Sequence, residues 1–164
     1  MRLCDPYLAG GALLDVGIYP LNFALMCFGN NYDKIVASCM KSELGVDLTD
    51  SITIYYKDKV CHLHSTMLAQ TDRSGYLYAD KGYIQIENIN NPEAIRVYDL
   101  NHKLINSISI PSQITGYEDE LISCLKALKL KQIETIEMPH KETLFVMKVI
   151  DEIKSLINLK YPIE

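Results

Sequence analysis

The sequence predicts an α+β fold, a predominantly antiparallel β-sheet with helices packed on one face. Apolar residues recur at helical spacing near both ends of the chain, whereas the middle alternates short β-type runs with polar turns. These turns are too short to join parallel neighbours, so successive runs should pair as antiparallel hairpins. The predicted strands are Lys34–Lys41, Thr49–Tyr56, Lys59–Ala69, Gly75–Ala79, Tyr83–Ile89, Ala94–Leu100 and Lys103–Ile110.

The composition is that of an ordinary globular domain and limits the possible partners. The chain of 164 residues is 48% hydrophobic, which is enough for a core, and we expect one domain over residues 1–164. A net charge of −5 argues against nucleic acid and anionic membranes as partners. The cysteines are odd in number and form no Cys-x-x-Cys pair, so we expect reduced thiols and a cytoplasmic location.

The stretch Ala9–Phe28, called the N-terminal helix below, is predicted to be helical throughout. Its apolar residues recur three and four apart and define a buried side. Asp15 and Tyr19 are four apart and therefore project from one face, one turn from each other. Pro20 has no N–H for the carbonyl of Val16, so we expect a bend there. Polar residues interrupt the apolar run, and we expect no membrane span.

The strand pattern bears on the second face of the predicted sheet. Ile52, Ile54 and Tyr56 share one face of a strand, but the residues between them are only partly polar. A sheet with helices on one face and a partly apolar second face produces this pattern. We therefore expect the second face to be a subunit interface and the protein to be a homo-oligomer.

Two helices are predicted to close the chain. A capping-box pattern from Thr115 to Glu118 starts the first, and the second begins after Pro139 and runs to about Leu159. The expected buried stripe of the first is Leu121, Leu125 and Leu128. The expected apolar face of the second is Val146, Val149, Ile150, Ile153, Leu156 and Ile157.

The N-terminal helix also carries a distinctive motif. It reads Gly10-Gly11-Ala12-Leu13-x-Asp15-x-Gly17-x-Tyr19-Pro20 and ends in Phe28-Gly29. This motif resembles the signature helix of the Gfo/Idh/MocA oxidoreductases. The segment Asp80–Ile86 resembles the turn and strand that follow the middle hairpins of this family. The closing segments Tyr117-x-x-Glu120, Ile136–Pro139 and Tyr161-Pro162 agree with it in the same order.

The resemblance implies a two-domain enzyme of which this chain is the C-terminal, substrate-binding and oligomerisation domain. Family members carry an N-terminal Rossmann domain with a Gly-rich phosphate loop and a Glu-Lys-Pro motif that holds the catalytic lysine. These 164 residues contain neither motif. The implied cofactor is therefore NAD or NADP, bound mainly by a domain missing from this chain. We expect the chain alone to be inactive.

Asp15 and Tyr19 are the candidate catalytic residues. Hydride transfer from a carbinol carbon leaves a hydroxyl proton that needs a base. A free phenol has a pKa of about 10, so a proton relay through Tyr19 requires a nearby cation, which the resemblance supplies as the lysine of the missing domain. Asp15 could orient the hydroxyl and that lysine, or take the proton itself. The implied substrate is a sugar, polyol or cyclic alcohol.

Other interpretations of the chain and of its polar residues stay open. The whole chain could be a non-enzymatic dimerisation or sensor module that kept the fold.

His62 and His64 share a strand face, but the sequence offers no third ligand, so we expect polar surface residues rather than a metal site. Arg73 could reach an anionic group, although a solvated turn is favoured. The tyrosines of the strands could line a sugar pocket, but cross-strand or interface packing is favoured.

Overall fold

A computed structural model describes residues 2–162, which form two compact units. The first unit combines the residues up to Gln70 with those from Phe145 onward, and the second unit is Thr71–Leu144. The expectation of one domain over residues 1–164 stays a prediction. The α+β class with antiparallel strands is confirmed, and the strands divide between two sheets, one in each unit.

The first unit contains a three-stranded antiparallel sheet in the order β1-β2-β3. The strands are β1 (Lys34–Lys41), β2 (Asp47–Tyr55) and β3 (Val60–Thr66). The predicted alternation along β2 is confirmed, because Ile52 and Ile54 are buried while Ser51 and Tyr55 are exposed. One face of this sheet therefore packs against the hydrophobic core.

The N-terminal helix starts later than predicted and contains an irregular turn. Residues 12–28 are helical, with a π-helix over Leu13–Gly17 followed by α1 (Ile18–Phe28). The prediction of helix at Ala9–Gly11 is wrong, because the φ angles of Ala9 (52°) and Gly11 (135°) are incompatible with a right-handed helix. Pro20 lies inside this continuous helix, just after the π-helical turn, and has no N–H to donate to the preceding turn. The bend expected at Pro20 stays a prediction.

The core of the first unit lies between its sheet and two helices. Along α3 (His140–Leu156), Val146, Val149, Ile150 and Ile153 are buried as predicted, whereas Leu156 is exposed, contrary to the prediction. The main members of this core are Leu13, Leu21, Ala24, Leu25, Ile35, Ile52, Ile54, Cys61, Leu63, Val146, Val149, Ile150 and Ile153.

One segment of the first unit is apolar enough to raise the question of a membrane. By length and composition alone, Pro6–Phe28 could cross a bilayer, with a mean hydropathy of 1.5. Its Leu13, Leu21 and Leu25 belong to the core of the first unit. A buried core helix passes the same composition test, so this segment gives only weak support for a membrane span.

The second unit contains a four-stranded antiparallel sheet and one helix. The strands β4 (Gly75–Ala79), β5 (Gly82–Ile86), β6 (Ala94–Tyr98) and β7 (Leu104–Ser109) pair in sequence order. The helix α2 (Glu118–Lys129) buries Ala127. The predicted buried stripe of this helix is wrong, because Leu121, Leu125 and Leu128 are all exposed. An apolar stripe is buried only where another apolar surface covers it.

Candidate active site

Asp15 and Tyr19 both lie on the outer side of the N-terminal helix. Asp15 belongs to the π-helix, and Tyr19 is the second residue of α1. The Tyr19 residue is 45% exposed and the Asp15 side chain 35%, whereas Leu13 and Gly17 are buried. Four residues make slightly more than one α-helical turn, so the carboxylate and the phenol project from the same side of the helix.

A cation that the sequence analysis missed lies next to Asp15. The Nη2 atom of Arg2 is 4.0 Å from Oδ1 of Asp15, and the Arg2 side chain is 75% exposed. An ion pair this exposed contributes little to stability. It does show that the Asp15 carboxylate can be approached from solvent by a polar group.

The start of the N-terminal helix is held by a buried carboxylate, Asp47. The Leu13 amide donates to Oδ2 of Asp47 at 2.5 Å, which satisfies one of the free N–H groups of the first helical turn. A Cβ atom on Gly11 would lie 2.1 Å from Oδ1 of Asp47. Only glycine therefore fits at position 11, both for its φ angle and for the approach of Asp47.

A β-bulge explains why Asp47 reaches this position. Thr49 pairs with Met40 and Asp47 pairs with Lys41, so Leu48 is an extra residue in β2. Regular alternation would place residues three apart on opposite faces of a strand. The bulge instead brings Asp47 to the buried face that also holds Asp50.

Asp50 contacts the same helix indirectly, through Ser65. Its Oδ2 accepts a hydrogen bond of 3.1 Å from the Ser65 hydroxyl, and a Cβ atom on Gly17 would lie 3.1 Å from that hydroxyl oxygen. Burial, together with the neighbouring Asp47 carboxylate, raises the pKa of Asp50 to about 7. The Ser65 hydrogen bond acts in the opposite direction and is the smaller effect.

Tyr161, near the end of the chain, completes the attachment of the helix start. The Tyr161 hydroxyl donates to the carbonyl of Gly10 at 3.1 Å, and both residues are buried. A Cβ atom on Gly10 would lie 2.6 Å from the carbonyl oxygen of Leu3. The paired glycines and Tyr161-Pro162, two segments that the sequence analysis singled out separately, therefore meet in one place.

The paired glycines do not fit a dinucleotide phosphate. A phosphate cradle needs free backbone N–H groups at a helix start and room for an anion. Here the Leu13 amide is already bonded to a carboxylate, and Asp47 fills the space beside Gly11. A second anion would meet this negative charge, so we derive no cofactor contact from these residues.

The remaining candidate residues lie on exposed surfaces. His62 and His64 are exposed on β3, and Arg73 is exposed in the turn before β4. Among residues 2–162, no group of three or more acidic, histidine or cysteine side chains is arranged to hold a metal ion.

The tyrosines of the second unit form a row on one face of its sheet. Tyr83 lies between Tyr78, with a ring-centre distance of 5.7 Å, and Tyr98, with 4.8 Å. Tyr76 extends the row and accepts a hydrogen bond from Gln85. The expected cross-strand packing is confirmed for these tyrosines.

Comparisons with known proteins identify relatives over nearly the whole chain. A family model described as the GFO/IDH/MocA C-terminal domain matches residues 2–85. The chain is 30% identical to the trans-1,2-dihydrobenzene-1,2-diol dehydrogenase of Xenopus tropicalis, over 98% of this chain and 51% of that protein. It is 25% identical to the scyllo-inositol 2-dehydrogenase (NADP(+)) IolU of Bacillus subtilis, over 96% of this chain and 48% of that protein. The chain thus spans about half the length of these curated relatives.

Solved structures agree on the fold. The aldose-aldose oxidoreductase of Caulobacter crescentus, complexed with glycerol, superposes with a TM-score of 0.79 at 18% identity, covering 96% of this chain and 49% of that chain. KijD10, a 3-ketoreductase from Actinomadura kijaniata, superposes with a TM-score of 0.78 at 14% identity, over 96% of this chain and 49% of that chain. At these identities the likeness establishes the fold.

Proposed function

Because the chain belongs to the Gfo/Idh/MocA oxidoreductase family, we propose that it is the C-terminal, substrate-binding domain of an NAD(P)-dependent oxidoreductase. One observation carries the proposal: Asp15 and Tyr19 project together from the open side of a helix whose inner side is fixed by buried contacts. A fixed support with an accessible acid and phenol supplies two of the groups that proton transfer at a bound hydroxyl uses.

The proposed substrate is a sugar, polyol or cyclic alcohol. This class is supported by the names of the relatives, which act on scyllo-inositol and on a dihydrobenzene diol. All such substrates present a secondary hydroxyl group on a carbon that can lose a hydride. We assign the orientation of that hydroxyl to Asp15 and the relay of its proton to Tyr19. The phenol must give up its own proton as it accepts this one, so the relay also needs the lysine that the family resemblance implies for the Rossmann domain.

The proposed cofactor, NAD or NADP, is bound mainly by a Rossmann domain outside these 164 residues. The nicotinamide would supply the acceptor for the hydride. The surroundings of Gly10 and Gly11 support the proposal that another domain binds the cofactor, because Asp47 occupies the space where a pyrophosphate would lie at the start of the N-terminal helix. The same reasoning supports the proposal that the isolated chain is inactive.

The proposed setting is a cytoplasmic homo-oligomer without nucleic-acid or membrane partners. The described cysteines are all free thiols, which supports a reducing compartment. The net charge of −5 supports the exclusion of nucleic acid. The exposed tyrosine row, with Tyr78 78% exposed, supports self-association through the sheet face of the second unit.

The experiment that tests this function joins the chain to a dinucleotide-binding domain. We expect the 164-residue chain alone to reduce neither NAD nor NADP with any inositol, aldose or cyclic diol. Fused to the Rossmann domain of a relative, or to one encoded directly upstream, it should reduce one of the two cofactors. Activity of the chain alone would contradict the division between domains.

A non-enzymatic dimerisation or sensor module is the competing function. It is favoured by the exposed apolar surface of the second unit, which suits a binding role without chemistry. The DNA upstream of the first codon separates the two, because the enzyme requires a Gly-rich loop and a Glu-Lys-Pro motif in or near the same reading frame. An intergenic region there, with an inactive fusion, would favour the binding module.

A further inference from the structure

Two buried carboxylates beneath the N-terminal helix have no part in the proposed chemistry. Asp47 and Asp50 are both 0% exposed. We propose that they share one proton and act as positioning residues, which hold the turn of the helix that carries Asp15. The link to catalysis rests on the proposed function, whereas the shared proton does not.

The first argument is that no ion pair compensates the two charges. Among residues 2–162, no lysine, arginine or histidine forms an ion pair with either carboxylate. Two carboxylates close together in the interior cannot both ionise without a large cost in desolvation and repulsion. A single retained proton removes one of the two charges.

The second argument is hydrogen bonding. The Oδ1 atoms of Asp47 and Asp50 are buried and have no partner within the described part of the chain. Ionised carboxylates only accept hydrogen bonds, so an ionised pair has no donor of its own. A proton on Asp50 makes it a donor to Asp47, which leaves Oδ2 of Asp47 free to accept from the Leu13 amide.

The other groups that face Asp50 do not replace this proton. Cys39 pairs with Asp50 across β1 and β2, and burial raises the pKa of its thiol. Lys41 lies nearby on β1, but its Nζ atom donates to the Asn158 carbonyl at 2.6 Å. Ser65 on β3 contributes a neutral hydroxyl.

The pair touches the helix at two points that are four residues apart. Asp47 accepts from the Leu13 amide, and Ser65, bonded to Asp50, lies against Gly17. These two points bracket the single π-helical turn that contains Asp15. Loss of the shared proton would put a second charge beneath this turn and weaken its attachment, which would move Asp15.

The proton is tested by NMR on the 164-residue chain itself. With aspartate side-chain carbons labelled, we expect one carboxyl of the pair to titrate near pH 7 and the Leu13 amide to shift with the same midpoint. Asp50→Asn supplies an N–H in place of the proton and should abolish both transitions. Asp33→Asn, the same change at an exposed aspartate of the first unit, should leave both in place.

The wild-type titration alone can overturn the shared proton, even if Asp50→Asn fails to fold. Titration of every aspartate near its ordinary value, or a Leu13 amide that does not respond, would do so. The positioning role is tested in the fused enzyme, where kcat should fall through the midpoint of the pair in the wild type but not in Asp50→Asn, with KM unchanged. Identical pH profiles for the two would overturn the positioning role. If no fusion is active, the proposed function fails, while the NMR titration still decides on the proton.

Discussion

The two units of the chain differ in how completely they bury their apolar side chains. Every member of the main hydrophobic core belongs to the first unit. Within the described part of the second unit, the buried hydrophobic residues are Ile86, Ala94 and Ala127, and all of β7 is exposed. The same chain thus contains one closed core and one sheet whose apolar residues remain partly accessible.

This difference separates two tasks. The first unit needs a rigid interior because it holds the N-terminal helix, with its buried attachments at Gly10, Leu13 and Gly17. The second unit keeps apolar surface available, which suits contact with another polypeptide. The stability of the isolated chain should therefore come mostly from the first unit.

The largest expected effect is a contrast between two leucines. Leu21→Ala removes a fully buried side chain in the first unit and should lower the free energy of unfolding by about 2–5 kcal/mol. Leu121→Ala removes an exposed one in the second unit and should cost less than about 0.5 kcal/mol. Urea titration of the monomeric chain measures the free energy of unfolding of both variants. Similar losses would contradict the difference in burial between the two units.

A second expected effect is loss of stability as pH rises. Asp50 has a pKa of about 7 in the folded chain against an ordinary value of 3.8, so the folded chain retains a proton that the unfolded chain has released. Stability should therefore fall between these values, by up to about 1.4 kcal/mol per pH unit, and level off above them. The difference between wild type and Asp50→Asn in denaturant midpoint isolates this contribution. A pH-independent difference would refute it.

A smaller effect is expected at the attachment of the helix start. Tyr161→Phe removes the hydroxyl that donates to the Gly10 carbonyl and leaves that buried carbonyl without this donor. The expected cost is about 1–2 kcal/mol in thermal or urea unfolding. Tyr55→Phe, the same change at an exposed phenol of the first unit, is the control and should be neutral. Equal effects would mean that the attachment contributes nothing.

The smallest effect on folding is expected at the tyrosine row of the second unit. Tyr78→Ser alters a side chain that is 78% exposed, so the free energy of unfolding should change by less than about 0.5 kcal/mol. Its effect should appear instead in self-association, measured by sedimentation over a range of protein concentrations. Unchanged association, or a wild type that stays monomeric at all concentrations, would contradict the proposed interface.

Much of the fold could be predicted from local patterns. The limits of β1 and β4 agree with the prediction, and α3 begins where Pro139 indicated. Local pattern could not predict whether an apolar stripe is covered, because this depends on the partner surface. The stripe beginning at Leu121 shows this.

The candidate site was predictable only in part. Asp15 and Tyr19 follow from their spacing and from the motif around them, and their role stays a prediction. Asp47 was missed because the predicted strand begins at Thr49, and the bulge at Leu48 arises only from pairing with β1. Asp50 lies two residues before Ile52 and shares its buried face, so the alternation along β2 was the available signal for this aspartate.

The most direct test of the account is the kcat of the fused enzyme with Tyr19→Phe. Removing the phenol hydroxyl should lower kcat by about 10²–10⁴-fold and leave folding unchanged. Tyr55→Phe removes an exposed phenol hydroxyl from β2 and should retain the wild-type kcat. A Tyr19→Phe enzyme with a kcat within about twofold of wild type would contradict the assignment of proton transfer to the N-terminal helix.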